Sequence, residues 1–300
     1  MKESVSVIVR AYNAEKYIEK ALYSILNNTY DGLVEVVVCY DLGSKDHTLE
    51  IVRKVDVENK HRSNRAIKLV VHEHTTPFRA LLNCGFANAT GRFVTILDYD
   101  NLYPLRHIEK MVQKAVTTQK DFIFVRNYFF DDQSLKIIGA SLILRNPCNI
   151  INLIRGNYID GNAMFIDRAC LSIITDKLKK LNHRLYDIIF EDWLIALLGL
   201  KHCKCLFSED SHVFYRVHRS NLTGISVEDY RTPILTRVRD IATLVAFYEL
   251  EKENLTRREI YALEYSIFKK LLTLSIFLGK YMDKTMVFNT ISKIIDLLIG

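Results

Sequence analysis

Residues 4–13 read SVSVIVRAYN, and this stretch sets the type of fold. Val5 to Val9 is a short run rich in β-branched residues, as is typical of a strand that is buried on both faces. Asn13 then stands at the N-cap position of segment 14–26, whose apolar residues recur at helical spacing. A buried strand that leads into an amphipathic helix is the usual opening of a parallel α/β sheet.

The same alternation continues to about residue 120. We expect further strands at 34–40, 67–71 and 92–97, and further helices at 44–55, 77–88 and 104–116. Ser44 is the expected cap of the second helix, and Pro77 lies near the first position of the third. The alternation predicts a doubly wound, mostly parallel sheet. Ligands of such sheets bind beyond the carboxyl ends of the strands, so the loops after the first, second and fourth strands are the place to look.

The pattern changes after residue 120. Segments 121–130 and 135–144 look like an antiparallel pair joined by a turn, which adds a small antiparallel portion to the sheet. A strand at 161–166, an apolar helix at 188–200 and a strand at 213–217 follow, and almost everything after about residue 228 has helical, amphipathic spacing. We therefore expect an α/β domain over 1–225, with halves 1–120 and 121–225, and a C-terminal helical subdomain over 226–300.

Composition and charge narrow the class of protein. The 300 residues carry a formal net charge of +6, and the charged fraction of 25% is ordinary for a soluble protein. No Lys/Arg run with interleaved aromatic residues occurs, so we expect no nucleic-acid partner. The six cysteines are scattered through apolar runs, which favours buried, reduced thiols over a disulfide framework.

The first residues run directly into the first strand, and no signal peptide is visible. No apolar stretch reaches the roughly 18 residues that a membrane-spanning helix needs. We therefore expect a cytoplasmic protein, with peripheral attachment to the inner face of a membrane left open.

An acidic motif follows the fourth strand. Asp98 and Asp100 stand two residues apart at the end of a buried strand, where unpartnered carboxylates would be costly. Mg²⁺ and Mn²⁺ favour carboxylate oxygens and are commonly shared between one or two carboxylates and substrate phosphates. The motif predicts a divalent-cation site, although Asp-X-Asp-Asn is also good turn chemistry.

Seven segments resemble motifs of the family 2 glycosyltransferases of the GT-A fold, in the same order, over residues 4–224. They are SVSVIVRAYN (4–13), the following NAEKYI (13–18), YDLGSKDHT (40–48), the stretch from NCG to DYD (83–100), GNAMF (161–165), EDW (191–193) and YRVHRSN (215–221). The resemblance implies an enzyme that moves a sugar from a UDP-, GDP- or dTDP-sugar to a hydroxyl of a glycan, polysaccharide or lipid-linked acceptor, with inversion and with help from Mn²⁺ or Mg²⁺. Residues 1–120 would then bind the donor and residues 121–225 the acceptor.

The resemblance also implies roles for individual residues. The nucleotide-sugar would contact Arg10, Ala11, Tyr12, Asn13, Asp41, Asn83, Asp98 and Tyr99. The metal would be held by Asp98, Asp100 and His218. Asp192 would be the general base, with Glu191 beside it, and the acceptor would meet Gly161, Asn162 and Trp193. Phosphate contacts from Arg79, Arg216 and Arg219 are compatible with the affinity of arginine for phosphate.

Several of these residues have a structural alternative. Asp41 and the pair Glu191–Asp192 would also suit helix N-termini, where acidic side chains are favourable. Trp193 could be a core aromatic, and His218 could be held by ordinary hydrogen bonds.

The donor side departs from the family pattern. Arg10 and Ala11 replace the usual Pro-Thr, Leu42 replaces a second acid, Leu82 replaces an arginine, and Asn101 replaces a third acid. These changes keep open a catalytically inactive glycan- or nucleotide-binding scaffold on the same fold. A sugar-phosphate nucleotidylyltransferase fits less well, because it would need a glycine-rich loop after the first strand.

The C-terminal segments 268–282 and 291–299 are apolar with interspersed charges. Such helices usually pack on one another or form a homodimer, and a basic amphipathic helix can also lie on a membrane. We favour packing, with dimerisation and membrane contact as further expectations.

Overall fold

The computed structural model describes residues 2–218 and 231–279, together with residue 289. Strands β1 to β8 span Val5–Ala11, Val34–Asp41, Arg65–His72, Phe93–Ile96, Phe122–Asp131, Ile137–Ala140, Met164–Asp167 and Cys205–Val217. Helices α1 to α9 span Ile18–Leu26, Thr48–Asn59, Pro77–Ala80, His107–Thr118, Ile150–Arg155, Arg168–Leu178, Glu191–His202, Arg231–Glu251 and Arg257–Gly279. A π-helical turn, Leu81–Phe86, continues α3, and a 3₁₀ turn, Gly161–Ala163, precedes β7.

The sheet has the order β3-β2-β1-β4-β7-β5-β6, and β8 pairs with β5. Strands β3, β2, β1 and β4 are parallel, β7 is antiparallel to both β4 and β5, and β6 is antiparallel to β5. The predicted mostly parallel sheet with a small antiparallel portion is confirmed. The carboxyl ends of β1 and β4 are neighbours, so the loops that follow them lie together.

Helices cover both faces of this sheet. One buried cluster joins the sheet to α1, α2 and α4, and a second joins it to the π-helical turn, α6, α7, α8 and α9. Helices α8 and α9 therefore share a core with the α/β domain instead of standing apart from it. The proposed boundary between residues 225 and 226, and the predicted helix at 291–299, lie outside the described residues.

Helices α1 and α2 begin at Ile18 and Thr48, four residues later than the sequence indicates. Helix α1 begins at Ile18, and Asn13, the expected cap, has a positive φ of 48°. Its side-chain oxygen accepts a hydrogen bond from the Lys45 backbone at 2.9 Å, and its own N–H donates to Ser44 Oγ at 3.1 Å. The predictions that Asn13 and Ser44 cap α1 and α2 were therefore wrong. These two residues instead connect the loop after β1 to the loop after β2.

The cysteines also differ from expectation. Cys39 pairs with Cys84, and Cys170 with Cys203, as disulfides. The expectation of reduced thiols was therefore wrong for these four residues. The sequence could not show the first pair, because Cys39 in β2 and Cys84 in the π-helical turn meet only when the turn packs on the sheet. Within residues 2–218 and 231–279, no helix is both long enough and apolar enough to cross a membrane.

Candidate functional site

Arg10 lies near the end of β1, between the loop after β4 and the start of α7, and we call the region around these three segments the cleft. Its guanidinium donates to Asp98 Oδ1 from Nη2 at 2.7 Å and from Nε at 3.2 Å, and Nη1 donates to Glu191 Oε1 at 2.8 Å. Burial works against the charged guanidinium, but attraction to the two carboxylates outweighs it and raises the pKa of Arg10. One buried cation thus joins the acid that follows β4 to the acid that opens α7.

Asn162 holds Asp98 from the other side. Its Oδ1 accepts from the Asp98 backbone N–H at 2.6 Å, and its Nδ2 donates to Asp98 Oδ2 at 3.0 Å and to Asp160 Oδ1 at 2.9 Å. The side chain is only 2% exposed. Asn162 was predicted to meet the acceptor, but in the structure it is a buried support for two carboxylates.

Asp192 is the second acid of α7 and lies in the same cleft. Its Oδ2 accepts from Asn157 Nδ2 at 3.0 Å, and its Oδ1 accepts from the Trp193 backbone at 2.7 Å. A Cβ built on Gly161 would come within 3.6 Å of Asp192 Cβ, so Gly161 lies beside this acid. Burial, and after it repulsion by Glu191 and Asp160, raises the pKa of Asp192 to about 8.

Asp100 pairs with His218 across the cleft floor. Asp100 Oδ2 and His218 Nε2 are 3.0 Å apart, and the His218 ring stacks on Tyr17 with centroids 5.0 Å apart. Burial and the neighbouring Asp98 raise the pKa of Asp100, against the opposing effect of His218. A partly buried carboxylate beside an imidazole nitrogen is a donor set that suits Mn²⁺ or Mg²⁺ in company with substrate phosphates.

Asp98 is less suited to that cation than the sequence indicates. Both of its oxygens already accept hydrogen bonds, and the charged Arg10 lies against it. Within the described ranges, no three His, Cys, Asp or Glu side chains are grouped as metal ligands. The residues that fit the cation are therefore Asp100 and His218, and the three-ligand set with Asp98 is not assembled here.

A separate cluster forms after β2. Asp41 is 4% exposed, and its carboxylate accepts from the backbone N–H groups of Gly43 at 2.7 Å and Thr75 at 3.3 Å. His74 Nδ1 lies 3.1 Å from both Asp41 oxygens, and the His74 ring is 5.0 Å from that of Tyr12. Tyr12 itself is 44% exposed. A buried acceptor beside an exposed aromatic ring is well suited to a nucleobase, and His74 is the member that the sequence did not predict.

The remaining predicted donor residues are spread around these clusters. Ala11 is buried at the end of β1, and Asn83 is exposed on the π-helical turn. Tyr99 is half-buried, and burial together with Asp100 and Asp98 raises its pKa to about 12. Tyr99 is therefore a neutral hydrogen-bonding group at ordinary pH.

Two of the arginines proposed for phosphate binding are engaged elsewhere. Arg79 makes a two-pronged ion pair with Asp187. Arg216 is 3% exposed, and it donates to the Asp100 carbonyl at 2.8 Å and to Asp132 Oδ1 at 2.9 Å. It supports the backbone of the acidic motif from below, while Arg219 lies outside the described residues.

Trp193 does not line the acceptor side in this structure. Its side chain is 1% exposed, and its ring N–H donates to the Leu153 carbonyl at 2.8 Å. The core alternative fits, because the third residue of α7 points into the cluster shared with α8 and α9.

The C-terminal helices support the start of α7. Thr243 Oγ1 on α8 accepts from the Phe190 backbone N–H at 2.8 Å. Arg239 donates to the Ile189 carbonyl at 3.0 Å, and its guanidinium lies 4.2 Å from the centre of the Phe190 ring. The turn that presents Glu191 and Asp192 is thus fixed by a segment far along the chain.

Tyr12 offers a direct test of the donor cluster. We expect Tyr12→Ala to raise the KM for a nucleotide-sugar about tenfold with little change in kcat, because stacking on a base is worth roughly 1–3 kcal/mol and acts before the chemical step. Steady-state kinetics at varied donor concentration measure this. Tyr248→Ala, which removes an exposed tyrosine on α8, is the matched control, and an equal KM for both variants would contradict the assignment.

Known proteins resemble this chain in sequence. Residues 6–181 match the family model described as Glycosyl transferase family 2. Glycosyltransferase GlyA of Streptococcus pneumoniae is 28% identical over 271 residues, which are 86% of this chain and 37% of GlyA. The Escherichia coli UDP-Glc:alpha-D-GlcNAc-diphosphoundecaprenol beta-1,3-glucosyltransferase WfaP is 26% identical over 223 residues, which are 74% of this chain and 80% of WfaP. The chain thus spans just over a third of GlyA and most of WfaP.

Solved structures share the fold at low sequence identity. S. aureus TarS 1–349 in complex with UDP-GlcNAc superposes with a TM-score of 0.57 at 18% identity, covering 99% of this chain and 89% of that one. Mannosyltransferase PcManGT from Pyrobaculum calidifontis, in complex with GDP-Man and Mn²⁺, superposes with a TM-score of 0.56 at 17% identity, covering 100% and 81%. These similarities establish the GT-A type architecture.

Proposed function

Because the chain belongs to glycosyl transferase family 2, we propose that it transfers a sugar from a nucleoside-diphosphate sugar to an acceptor hydroxyl, with inversion at the anomeric carbon. One observation carries the proposal: the acids after β4 and the acids that open α7 face a single cleft and are bridged by Arg10. Two carboxylate clusters in one cleft can serve the leaving group and the nucleophile separately.

The donor side is the cluster after β2. Asp41 would accept hydrogen bonds from the base or ribose, His74 would form a hydrogen bond with the same group, and Tyr12 would stack on the base. WfaP is named for the donor UDP-Glc, and the TarS and PcManGT complexes contain UDP-GlcNAc and GDP-Man. A panel of UDP-, GDP- and dTDP-sugars, assayed for donor hydrolysis with Mn²⁺, tests the proposal, and the absence of turnover and of binding with every donor would overturn it.

Asp192 would be the general base. It takes the proton of the acceptor hydroxyl while that oxygen attacks the anomeric carbon, and the bond to the diphosphate breaks with the electron pair leaving on the phosphate oxygen. A single displacement of this kind inverts the anomeric centre. The raised pKa suits the role, because a base works best when its pKa lies near the operating pH.

Asp100 and His218 would hold a divalent cation, which supplies positive charge for the departing diphosphate. The guanidinium of Arg10 adds a fixed positive charge nearby, and Asn162 and Arg216 keep the acidic loop in place. Mn²⁺ accompanies GDP-Man in the PcManGT complex, which supports this cation.

The acceptor would be a lipid-linked glycan. WfaP, which this chain resembles over most of its length, acts by its name on a sugar attached to diphosphoundecaprenol. Peripheral contact with the inner face of a membrane would accompany such an acceptor, and homodimerisation through the C-terminal helices stays a prediction.

The pH dependence of transfer follows from Asp192. A base must be ionised to act, so a pKa near 8 predicts that kcat/KM rises about tenfold per pH unit below pH 8 and levels off above it. Initial rates from pH 6 to 9 at saturating Mn²⁺ measure the profile. A flat profile over this range would exclude Asp192 as the base, and donor binding measured at each pH is the control.

A further inference from the structure

A groove of about 350 Å³ lies between α5 and the start of α9, outside the cleft described above. Its lining includes Ile151 and the rings of Tyr261 and Tyr265, and its inner surface is largely apolar. Arg155, from the end of α5, and Arg257 and Arg258, from the first turn of α9, complete the wall. An apolar groove with three guanidinium groups in its wall matches an amphiphile with an anionic head.

These three arginines are free to bind a ligand. All three are exposed, and across residues 2–218 and 231–279 none of them has a carboxylate within ion-pair distance or a hydrogen bond to another residue. Elsewhere in the described chain, Arg10, Arg79 and Arg216 are each paired with an acid. Guanidinium groups suit phosphate because their N–H groups match its oxygens in pairs.

The groove lies close to Asp192. Arg155 ends α5, and Asn157, only two residues later, donates a hydrogen bond to Asp192 Oδ2. Two residues of extended chain span at most about 7 Å, so the backbone of Arg155 lies within that distance of the residue that contacts Asp192. A phosphate bound there could present the attached sugar to Asp192.

The other end of the groove continues as an exposed apolar stripe. Tyr261, Tyr265, Phe268, Leu272 and Ile276 repeat at helical spacing along one face of α9, and each is more than half exposed. At 1.5 Å per residue this stripe runs for about 22 Å, away from the arginines. The molecule thus offers a cationic site near the base and an apolar track that leads away from it.

We propose that this groove and stripe bind the acceptor as a glycosyl diphosphate lipid, with the phosphates on Arg155, Arg257 and Arg258 and the lipid chain along α9. The inference rests on the proposed function, since it assigns the acceptor side of the same reaction. It names the substrate class by its chemistry: a sugar, an anionic phosphate link and an extended apolar chain.

Binding of dodecyl diphosphate, below its micellar concentration and without donor, tests the inference. Calorimetry should show binding to the unaltered chain, binding weakened about tenfold or more by R257Q/R258Q and by R155Q, and binding weakened likewise by F268S/L272S. Inorganic diphosphate should bind more weakly than dodecyl diphosphate because it lacks the apolar chain. K269Q removes a charge from the same helix outside the groove and is the matched control.

The same variants separate this inference from the proposed function. Binding of UDP with Mn²⁺ should be unchanged in all of these variants, which would also show that they are folded. If UDP and Mn²⁺ do not bind the unaltered chain, the proposed function is wrong, but the binding of dodecyl diphosphate still tests the groove. Equal affinity of R257Q/R258Q and the unaltered chain for dodecyl diphosphate would overturn the inference. Binding to phosphatidylglycerol vesicles but not to dodecyl diphosphate would also overturn it and would indicate that the surface binds a bilayer. A dimer that F268S/L272S converts to a monomer in sedimentation would overturn it too and would indicate that a second copy of the chain covers the stripe.

Discussion

Asp192→Asn is expected to lower the rate of sugar transfer by a factor of about 10² to 10⁴ while leaving the affinity for UDP and Mn²⁺ unchanged, because it removes the proposed general base and no proposed donor contact. The amide keeps the shape of the carboxyl group and can still accept from Asn157. Single-turnover transfer assays measure the chemical step, and calorimetry measures donor binding. Loss of both together would place Asp192 in the donor site instead.

The same substitution is expected to stabilise the fold at neutral and alkaline pH. The native carboxyl keeps its proton up to a pKa of about 8, whereas the unfolded one ionises near 3.8, so the native state binds more protons between these values and stability falls as pH rises through that window. Asparagine does not titrate. We expect a Tm a few degrees above that of the unaltered chain at pH 8 and little difference at pH 4.

A surface acid provides the control for this pair of results. Asp176 forms an exposed i, i+3 pair with Lys179 on α6, and such pairs contribute little. Asp176→Asn should therefore leave transfer, donor affinity and Tm nearly unchanged. A Tm gain for Asp192→Asn that was larger at pH 4 than at pH 8 would contradict the raised pKa.

Asp100→Ala is expected to remove the metal-dependent part of donor binding, with affinity for UDP in the presence of Mn²⁺ falling about a hundredfold. The side chain is one of the two that fit the cation, and its loss removes the hydrogen bond between Asp100 and His218. Calorimetric titration of UDP, with and without Mn²⁺, measures the effect. Chelation of the metal should reduce the unaltered chain to the behaviour of the variant.

Asp176→Ala again serves as the control, and it should keep the full effect of Mn²⁺. If Asp100→Ala retained that effect, the cation would have to be held elsewhere and the assignment of Asp100 and His218 would be wrong. If the protein is a catalytically inactive scaffold, neither the unaltered chain nor Asp100→Ala should show heat of UDP binding that depends on Mn²⁺.

The sheet could be predicted because its central parallel strands are short runs of mostly apolar, β-branched residues. Val5 to Val9 and 34–40 are buried on both faces, so their pattern does not depend on what packs against them. Loops are harder, because their side chains bond to other loops. Asn13 and Ser44 have the composition of helix caps, and only the approach of β1 to β2 shows that they bond to each other's loops.

The candidate site was predictable where a motif places an acid at the end of a strand or helix, as with Asp98, Asp100, Glu191 and Asp192. Arg10 stood out as a departure from the family pattern. Its two partners, Asp98 and Glu191, lie 88 and 181 positions further along the chain. Nothing local could reveal these two contacts.

Other supporting residues were missed for the same reason. Asn157, Asp160 and His74 stand in loops with no periodic signal, and only contacts across the sheet give them a role. Trp193 was ambiguous for the opposite reason, since an aromatic at the start of a helix can face a cleft or the core, and here α8 and α9 supply a core.

The hydroxyl of Thr243 and the guanidinium of Arg239 make the C-terminal helices part of the active-site scaffold. Exchange of these helices between relatives would therefore be tolerated only when the incoming segment brings equivalent groups to the turn before α7. A change in the tail that removed either of these two side chains of α8 would also disturb the positions of Glu191 and Asp192.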